Sequence, residues 1–409
     1  MAILTDPVLF LDTSCAAAFD GLKQYYRVPG FRLGGAYDLD DEASYELGGT
    51  GGTTLESLGA GPCQIGYITL GTPHRGPDGE IDNAILISSF YSGDSTNYLD
   101  FWGPEGARTG FSEGVYLGPG KIFDTDRYYL ILADSLGLWG ASKPSSSHPG
   151  DPASQALGLR FPQYSLLDCA QLTYRLLVDH LGIKRLKLAT GVSMGASLSY
   201  VMAVLHPDFP EAIMPIGGTP YQARGMSRWQ FDLMTAAVQS DPIYRETKGD
   251  YYDRPRLEQP LLGNLFGWSI IRQSAFIDEV RVKQPLEQYQ LEAFDWEKSV
   301  EVVRSQGTQP GWGSGLFFVA LIDANDLIYR NRAQTLLDLE DELHRVRART
   351  LIVHLETDQW LYPHIARAAH ERIPGSRLVT FRHDLGHYGV FMAPGREAEA
   401  IGAFLEGRA

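Results

Sequence analysis

The feature that most constrains this chain is a Gly-x-Ser-x-Gly sequence at residues 191–195, which lies between two apolar segments. The segment 186–188 alternates as a strand does, and the segment 197–205 predicts a helix that a proline ends. A strand-to-helix turn this tight strains its central residue and requires small neighbours, which the two glycines provide. The sequence therefore predicts a nucleophile elbow that exposes Ser193 at the end of a sheet. The alternative for so short a pattern is an ordinary glycine-rich turn.

Strands and helices alternate around this motif. Four further segments have the apolar content of strands, at 64–71, 84–87, 128–133 and 212–216. A helix is predicted over 165–181, where Ser165 and Asp168 form a capping-box pattern. A cluster of turn residues at 72–79 predicts a hairpin between the first two strands. Strands that alternate with helices favour a parallel sheet covered by helices on both faces.

The chain divides into regions of different texture. Residues 1–60 read as an irregular N-terminal arm, and residues 221–343 show helical patterns without a good strand. The second region is rich in aromatic residues, among them Trp229, Trp268, Trp296 and Trp312. Strand-like sequence then returns at 350–355 and 378–381. We interpret 221–343 as a helical lid inserted into a core formed by 61–220 and 344–409. The alternative is a separate helical domain beside the core.

Composition narrows the classes of partner. The 409 residues carry a net charge of −15, which argues against nucleic acid and against an anionic membrane surface. Three cysteines, Cys15, Cys63 and Cys169, are too few and too irregular for a disulfide framework, and no His/Cys cluster has metal-ligand spacing. No stretch reaches membrane-spanning length, and the first residues lack a basic leader pattern. We expect a cytoplasmic protein that needs no metal and no cofactor.

A serine hydroxyl becomes a nucleophile only beside a base, and the base needs an acid to orient it. Glu356 and Asp358 follow the first of the two late strand-like segments, and His383 and His387 follow the second. Both pairs would lie where parallel sheets keep their sites, at the carboxyl ends of strands. Asp358 is the predicted acid, with Glu356 as the alternative. His387 is the predicted base because its glycine-flanked loop can bend toward Ser193, with His383 as the alternative.

The order and spacing of these segments resemble the homoserine O-acetyltransferase family of acyltransferases. The similarity spans about residues 64–395 and depends on several motifs in combination. They are a strand entry at 123–129, a glycine-rich loop at 137–147, Phe161-Pro162 with the helix around 168–171, and Asp323-Ala324-Asn325 near the end of the helical region. The resemblance implies an α/β-hydrolase fold, a mostly parallel sheet flanked by helices, with an inserted helical lid.

The resemblance also implies which residues would act on a substrate. The family's catalytic serine, aspartate and histidine correspond to Ser193, Asp358 and His387. Its oxyanion-hole donors correspond to the backbone N–H groups of Tyr91 and Met194. The loop that holds Tyr91 follows the second predicted strand, from which it would face the nucleophile.

Several positions depart from the family pattern. The loop at 89–93 reads Ser-Phe-Tyr-Ser-Gly where the family usually has His-Ala-Leu-Thr-Gly, and Ala196 replaces a glycine. Tyr388 stands where an aspartate helps to hold the amino-acid acceptor, and the segment 272–276 departs from the Thr-Tyr-Arg stretch whose arginine would pair with the homoserine carboxylate. A buried site cannot hold the two charges of homoserine unpaired, so these changes argue against that substrate. Phe90 and Tyr388 are predicted to contact the substrate instead.

The predicted function is a serine-dependent acyl hydrolase that cleaves a carboxylic ester or related bond of a small molecule through an acyl-enzyme. The aromatic lid and the missing charged contacts favour a substrate of low polarity. The alternative is an acyltransferase that moves an acyl group from a donor of the acetyl-CoA type to a hydroxyl acceptor other than homoserine. A third reading is non-catalytic or cofactor-free use of the fold. We also expect aromatic lid residues to line a pocket above Ser193 and to pair two copies as a homodimer.

Overall fold

A computed structural model describes residues 21–103, 114–137, 140–222, 225–255, 259–260, 323–383 and 386–408. Cys15, the segment 272–276 and the predicted lid residues Trp268, Trp296 and Trp312 lie outside these ranges. The account below concerns the described residues.

The strands build an eight-stranded sheet and a separate two-stranded sheet. In chain order they are β1 (Gln24–Val28), β2 (Arg32–Leu33), β3 (Thr53–Thr54), β4 (Cys63–Leu70), β5 (Ala84–Ser88), β6 (Tyr129–Ala133), β7 (Leu188–Val192), β8 (Ala212–Ile216), β9 (Arg349–Leu355) and β10 (Arg377–Phe381). The large sheet has the order β1-β4-β6-β5-β7-β8-β9-β10, and β2 pairs with β3. Along the sheet from β6 through β5, β7, β8 and β9 to β10, every two neighbouring strands are parallel. Strand β4 runs antiparallel to both of its neighbours, β1 and β6. The predicted mostly parallel sheet is confirmed.

Helices connect and cover these strands. They are α1 (Ser95–Trp102), α2 (Leu166–Arg175), α3 (Met194–Leu205), α4 (Met226–Gln239), α5 (Pro242–Thr247), α6 (Ala324–Thr335), α7 (Pro363–Arg372), α8 (Ala393–Arg396) and α9 (Ala398–Leu405). A π-helical turn at Leu176–His180 continues α2, and short 3-10 helices lie at Glu42–Tyr45, Glu56–Leu58, Gly158–Arg160, Glu340–Arg345 and Gly386–Met392. The predicted capping box at the start of α2 is present, since Ser165 N donates to Asp168 Oδ2 at 2.7 Å and Asp168 N donates back to Ser165 Oγ.

The sheet separates two buried apolar clusters. In β5, Ala84 and Leu86 belong to the first cluster, whereas Ile85 and Ile87 belong to the second. Helices α2 and α3 cover the first cluster, and α1 and α9 cover the second. Because both faces are covered, every residue of the central strands β5, β7 and β8 is buried. These strands end together at the edge of the sheet where the candidate site lies.

Two expectations about the first strands are wrong. The arm is not irregular throughout, since β1 pairs antiparallel with β4 and extends the sheet. Most of β1 is exposed at this edge, so it lacks the apolar alternation that would reveal it. The segment 72–79 does not join a hairpin between β4 and β5, because β6 lies between them and pairs with both. A cluster of turn residues predicts that the chain reverses, but it does not predict which strand will pair with β4 in the sheet.

The described parts of 221–343 are mainly helical. Helices α4 and α5 follow β8, and α6 precedes β9, so this region lies in sequence between two strands that are neighbours in the sheet. Asn331 on α6 donates to Thr235 Oγ1 on α4 at 3.0 Å. The division into core and lid remains a prediction, because residues 261–322 lie outside the described ranges.

Candidate active site

Ser193 occupies the sharp turn between β7 and α3. Its backbone has φ 56° and ψ −119°, a conformation that costs a non-glycine residue free energy. Its N–H donates to Ile216 O on β8 at 3.0 Å. A Cβ on Gly191 would lie 2.7 Å from Ser88 O, and one on Gly195 would lie 2.2 Å from the same atom. The turn therefore packs directly against the end of β5, and larger residues at these two positions would push the strands apart.

The hydroxyl of Tyr98 on α1 joins the ends of β5 and β7. It donates to Ser88 O at 2.8 Å and accepts from Val192 N at 3.0 Å. Ser88 leads into the loop of Tyr91, and Val192 precedes Ser193. This buried phenol fixes the two halves of the candidate site relative to each other. Sequence reasoning did not single out Tyr98, because no local pattern marks its partners.

Ser193, His387 and Asp358 form a continuous hydrogen-bonded chain. Ser193 Oγ lies 2.8 Å from His387 Nε2, and His387 Nδ1 lies 2.6 Å from Asp358 Oδ2. The residues are 8%, 5% and 3% exposed, respectively. Because a carboxylate only accepts, the network assigns the proton to Nδ1 and leaves the Nε2 lone pair facing the serine hydroxyl. This tautomer can take the proton of Ser193.

The Asp358 carboxylate is held on both oxygens. Oδ1 accepts from Trp360 N at 2.8 Å and from Leu361 N at 2.9 Å, while Oδ2 faces His387. His354 lies behind it, with Nε2 donating to Leu361 O at 2.8 Å. Burial lowers the pKa of His354, so this ring is neutral. The carboxylate is thus fixed by backbone donors before it orients the base.

The alternative acid and base lie elsewhere. Glu356 is exposed, and its carboxylate accepts from Thr380 Oγ1 at 3.1 Å and from Arg382 at 3.4 Å. The backbone of His383 exchanges hydrogen bonds with Thr357 Oγ1. In the described hydrogen-bond network, neither alternative joins Ser193 or His387.

Of the two predicted oxyanion donors, Met194 follows Ser193 in the chain, and Tyr91 lies on the loop after β5, the strand that pairs with β7. Met194 is the first residue of α3, so its N–H belongs to the donor-rich start of that helix. Tyr91 lies three residues after the end of β5, whose last carbonyl the elbow glycines contact. The phenol of Tyr91 contacts Asn331 on α6. Their role as donors to an oxyanion stays a prediction.

An aromatic cluster, formed by Tyr91, Phe231 and Trp360, stands beside the histidine. The ring centroids of Tyr91 and Phe231 are 5.6 Å apart, and each lies about 6 Å from that of Trp360. Trp360 meets the His387 ring at 5.0 Å. Phe231 belongs to α4, so one aromatic residue of the predicted lid packs against Trp360, the neighbour of His387, while a lid-lined pocket above Ser193 stays a prediction. The indole Nε1 of Trp360 is buried and finds no hydrogen-bond partner within the described ranges.

The two predicted substrate contacts are placed differently. The ring of Phe90 packs against Tyr98, Phe101 and Phe391 at centroid distances of 5.6, 5.7 and 5.0 Å. These contacts place the ring of Phe90 in the second buried apolar cluster. Tyr388 is half-buried beside His387 and packs against both clusters. Contact of either residue with substrate stays a prediction.

Known proteins similar to this chain fall into two groups of enzymes. Homoserine O-acetyltransferase from Rhodospirillum rubrum is 29% identical over 383 residues, which cover 86% of this chain and 89% of that protein. Homoserine O-acetyltransferase from Bacillus anthracis matches in structure with a TM-score of 0.70 and 21% identity, over 94% of this chain and 97% of that one. An acetylester hydrolase from Corynebacterium glutamicum matches with a TM-score of 0.69 and 21% identity, over 96% and 99%. No model of a known protein family matches the sequence.

The sheet order and these structural matches show that the chain has the α/β-hydrolase fold. The sequence similarity, which extends over most of the chain, makes it similar to homoserine O-acetyltransferases. Its relatives and structural neighbours are acyltransferases and esterases. Among the described residues, no helix is both long and apolar enough to cross a membrane.

Proposed function

We propose that the protein is a serine esterase that acts through Ser193, His387 and Asp358. The observation that carries this proposal is the hydrogen-bonded chain of 2.8 Å and 2.6 Å that ends on a serine in a strained turn. Strain at a nucleophile is a device for holding its hydroxyl clear of the backbone.

The reaction follows from the protonation states of the chain. Ser193 Oγ attacks the ester carbonyl carbon while its proton passes to His387 Nε2, and Asp358 stabilises the imidazolium. The N–H groups of Met194 and Tyr91 donate to the oxyanion. Collapse breaks the bond to the alcohol, which leaves with the proton from His387. Water then attacks the acyl-enzyme by the same route, releases the acid and returns the proton to Ser193.

The surroundings of the triad favour water and an ester of low polarity over a charged acceptor. The described wall beside His387 is the aromatic cluster of Tyr91, Phe231 and Trp360. Tyr388 occupies the position of an acceptor-binding aspartate in the family that the sequence resembles. An ammonium group bound here would lose its hydration without gaining that carboxylate.

The second candidate is transfer of the acyl group to an alcohol. It is favoured by the sequence similarity to homoserine O-acetyltransferases, which extends over most of the chain. Hydrolases and transferases of this kind share the acyl-enzyme and differ in whether water or another hydroxyl group attacks it. The same nucleophile, base and acid would therefore serve both reactions.

One experiment separates the two. The protein is incubated with p-nitrophenyl acetate or with acetyl-CoA, each with and without a panel of small alcohols. Steady release of nitrophenol without an alcohol supports the esterase. Release of CoA only when an alcohol is present supports the transferase. Neither activity, together with no labelling of Ser193 by a fluorophosphonate, would contradict both.

A further inference from the structure

Arg330 on α6 is a buried cation beside the candidate oxyanion hole. The residue is only 1% exposed. Its Nη2 donates to Leu136 O at 2.7 Å and to Ser135 O at 3.2 Å, and its Nη1 lies 3.3 Å from Met194 Sδ. Its Nε is buried and has no hydrogen-bond partner among the residues that the structure describes. Among the described residues, the groups that touch this guanidinium are neutral.

The acidic residue one turn earlier on the same helix does not neutralise it. Asp326 is paired with Lys143 Nζ at 3.3 Å and accepts from Ser145 N at 2.8 Å and from Ser145 Oγ at 2.6 Å. Within the described part of the chain, Arg330 therefore makes no ion pair. A buried arginine is ordinarily paired, because removing its charge from water is costly. An unbranched apolar side chain would fill this position without that cost.

The contacts of the guanidinium lead to both predicted oxyanion donors. Met194 supplies one donor and is touched through its sulfur. Ser135 accepts on its carbonyl oxygen, and its hydroxyl accepts from Ser89 Oγ at 3.1 Å, two residues before Tyr91. The Arg330 charge also opposes the rise that burial causes in the pKa of Tyr91, which places it in electrostatic reach of that loop. The cation thus contacts the side chain of one predicted donor and, through Ser135 and Ser89, is linked to the loop of the other.

We propose that Arg330 is a positioning residue whose charge, acting through Met194 and the Ser135 carbonyl, stabilises the oxyanion formed when Ser193 attacks. Since the described contacts of the guanidinium are all with protein groups, we assign it no direct contact with substrate. An ester is neutral before attack and its tetrahedral adduct is anionic, so a nearby fixed charge favours the transition state over the bound substrate. The inference rests on the proposed acyl-enzyme mechanism.

The test compares three variants in the full-length protein. Arg330→Met removes the charge and keeps an unbranched side chain, Arg330→Lys keeps the charge, and Arg332→Met removes an exposed charge from the same helix as a matched control. We expect Arg330→Met to lower kcat for p-nitrophenyl acetate by about 10- to 100-fold with KM changed less than about threefold, which is less than the loss of a direct oxyanion donor. Arg330→Lys should recover most of kcat, and Arg332→Met should change nothing.

The binding of two inhibitors distinguishes this electrostatic role from a merely structural role of Arg330. A trifluoromethyl ketone, which forms an anionic adduct with the serine, should bind Arg330→Met more weakly by the same factor as the loss of kcat. The matching methyl ketone, bound unreacted, should keep its affinity. Equal loss for both ketones, or kcat within about threefold of wild type, would overturn the inference.

The outcomes also separate this inference from the proposed function. If Arg330→Met does not fold, Arg330→Gln carries the same expectation. If neither variant folds, the inference is overturned, because the charge of Arg330 is then needed for folding. A wild-type protein that neither hydrolyses the ester nor reacts with a fluorophosphonate would instead contradict the proposed function.

Discussion

Asp358→Asn should disable the histidine while leaving the structure intact, because the backbone dictates how the new amide is oriented. Oδ1 of Asp358 accepts from the N–H groups of Trp360 and Leu361. In the variant this position must remain an oxygen, so the amide NH2 faces His387 Nδ1 in place of Oδ2. The ring must then accept at Nδ1 and carry its proton on Nε2, where it cannot receive the proton of Ser193.

The size of the effect follows from the hydrogen bonds at stake. Restoring the active tautomer requires the amide to turn over, which leaves two buried N–H groups unpaired at about 1–3 kcal/mol each. The turned amide is also neutral, so the imidazolium loses a charge-assisted hydrogen bond of about 1.5–3 kcal/mol. Together these losses amount to about 4–9 kcal/mol, or about three to seven powers of ten in kcat.

The assay is steady-state hydrolysis of p-nitrophenyl acetate, with circular dichroism to verify folding. Glu356→Gln is the matched control, because it makes the same carboxylate-to-amide change at the exposed alternative acid. We expect its kcat to stay within about threefold of wild type, as for a surface contact of little energetic value. If Asp358→Asn kept a tenth of wild-type kcat, or if Glu356→Gln proved the more damaging change, the assignment of the acid would be refuted.

Three further predictions concern the base, the scaffold and the acceptor. His387→Ala should lower kcat by at least about 10³-fold, while His383→Ala should cost less than about tenfold; the reverse order would refute the choice of base. Tyr98→Phe should reduce stability to urea by about 1–3 kcal/mol, because two buried hydrogen bonds are lost, and should lower kcat as well; an unchanged unfolding curve would contradict the bridging role. Homoserine should not release CoA from acetyl-CoA, since two missing charge-assisted contacts of about 1.5–3 kcal/mol each weaken its binding by several powers of ten. Formation of O-acetylhomoserine at an ordinary enzymatic rate would disprove this last expectation.

The elbow could be predicted from sequence because its requirements are local. A tight strand-to-helix turn needs small residues on both sides of Ser193, and the close approach of both glycine positions to Ser88 O shows why. The positions of Asp358 and His387 after the ends of β9 and β10 could also be predicted, because both residues follow apolar strand-like segments. The sequence pattern left two candidates for the acid and two for the base. The choice depends on the path of the loops after β9 and β10, which a sequence pattern does not predict.

The features that sequence reasoning missed depend on distant contacts. Tyr98 lies on the helix that follows β5, but its hydroxyl also accepts from Val192 on β7, which is 94 residues away in the chain. Arg330 is buried where α6 packs against Ser135, Leu136 and Met194, which are distant from it in the chain. A signal did exist for the second case, since Leu327, Arg330 and Ala333 share one helix face by their spacing of three.

Trapping the acyl-enzyme tests the central proposal most directly. Wild-type protein and Ser193→Ala are mixed with p-nitrophenyl acetate, quenched with acid within the first turnover and digested, and the peptides are analysed by mass spectrometry. We expect one acetyl group on Ser193 in the wild type, formed and lost fast enough to account for steady-state turnover. In Ser193→Ala, we expect no acetylated peptide, a native circular dichroism spectrum and a kcat lower by at least about 10³-fold. A folded Ser193→Ala variant that turns over the ester at a near-normal rate would contradict the account, as would a kinetically competent acetyl group on any other residue.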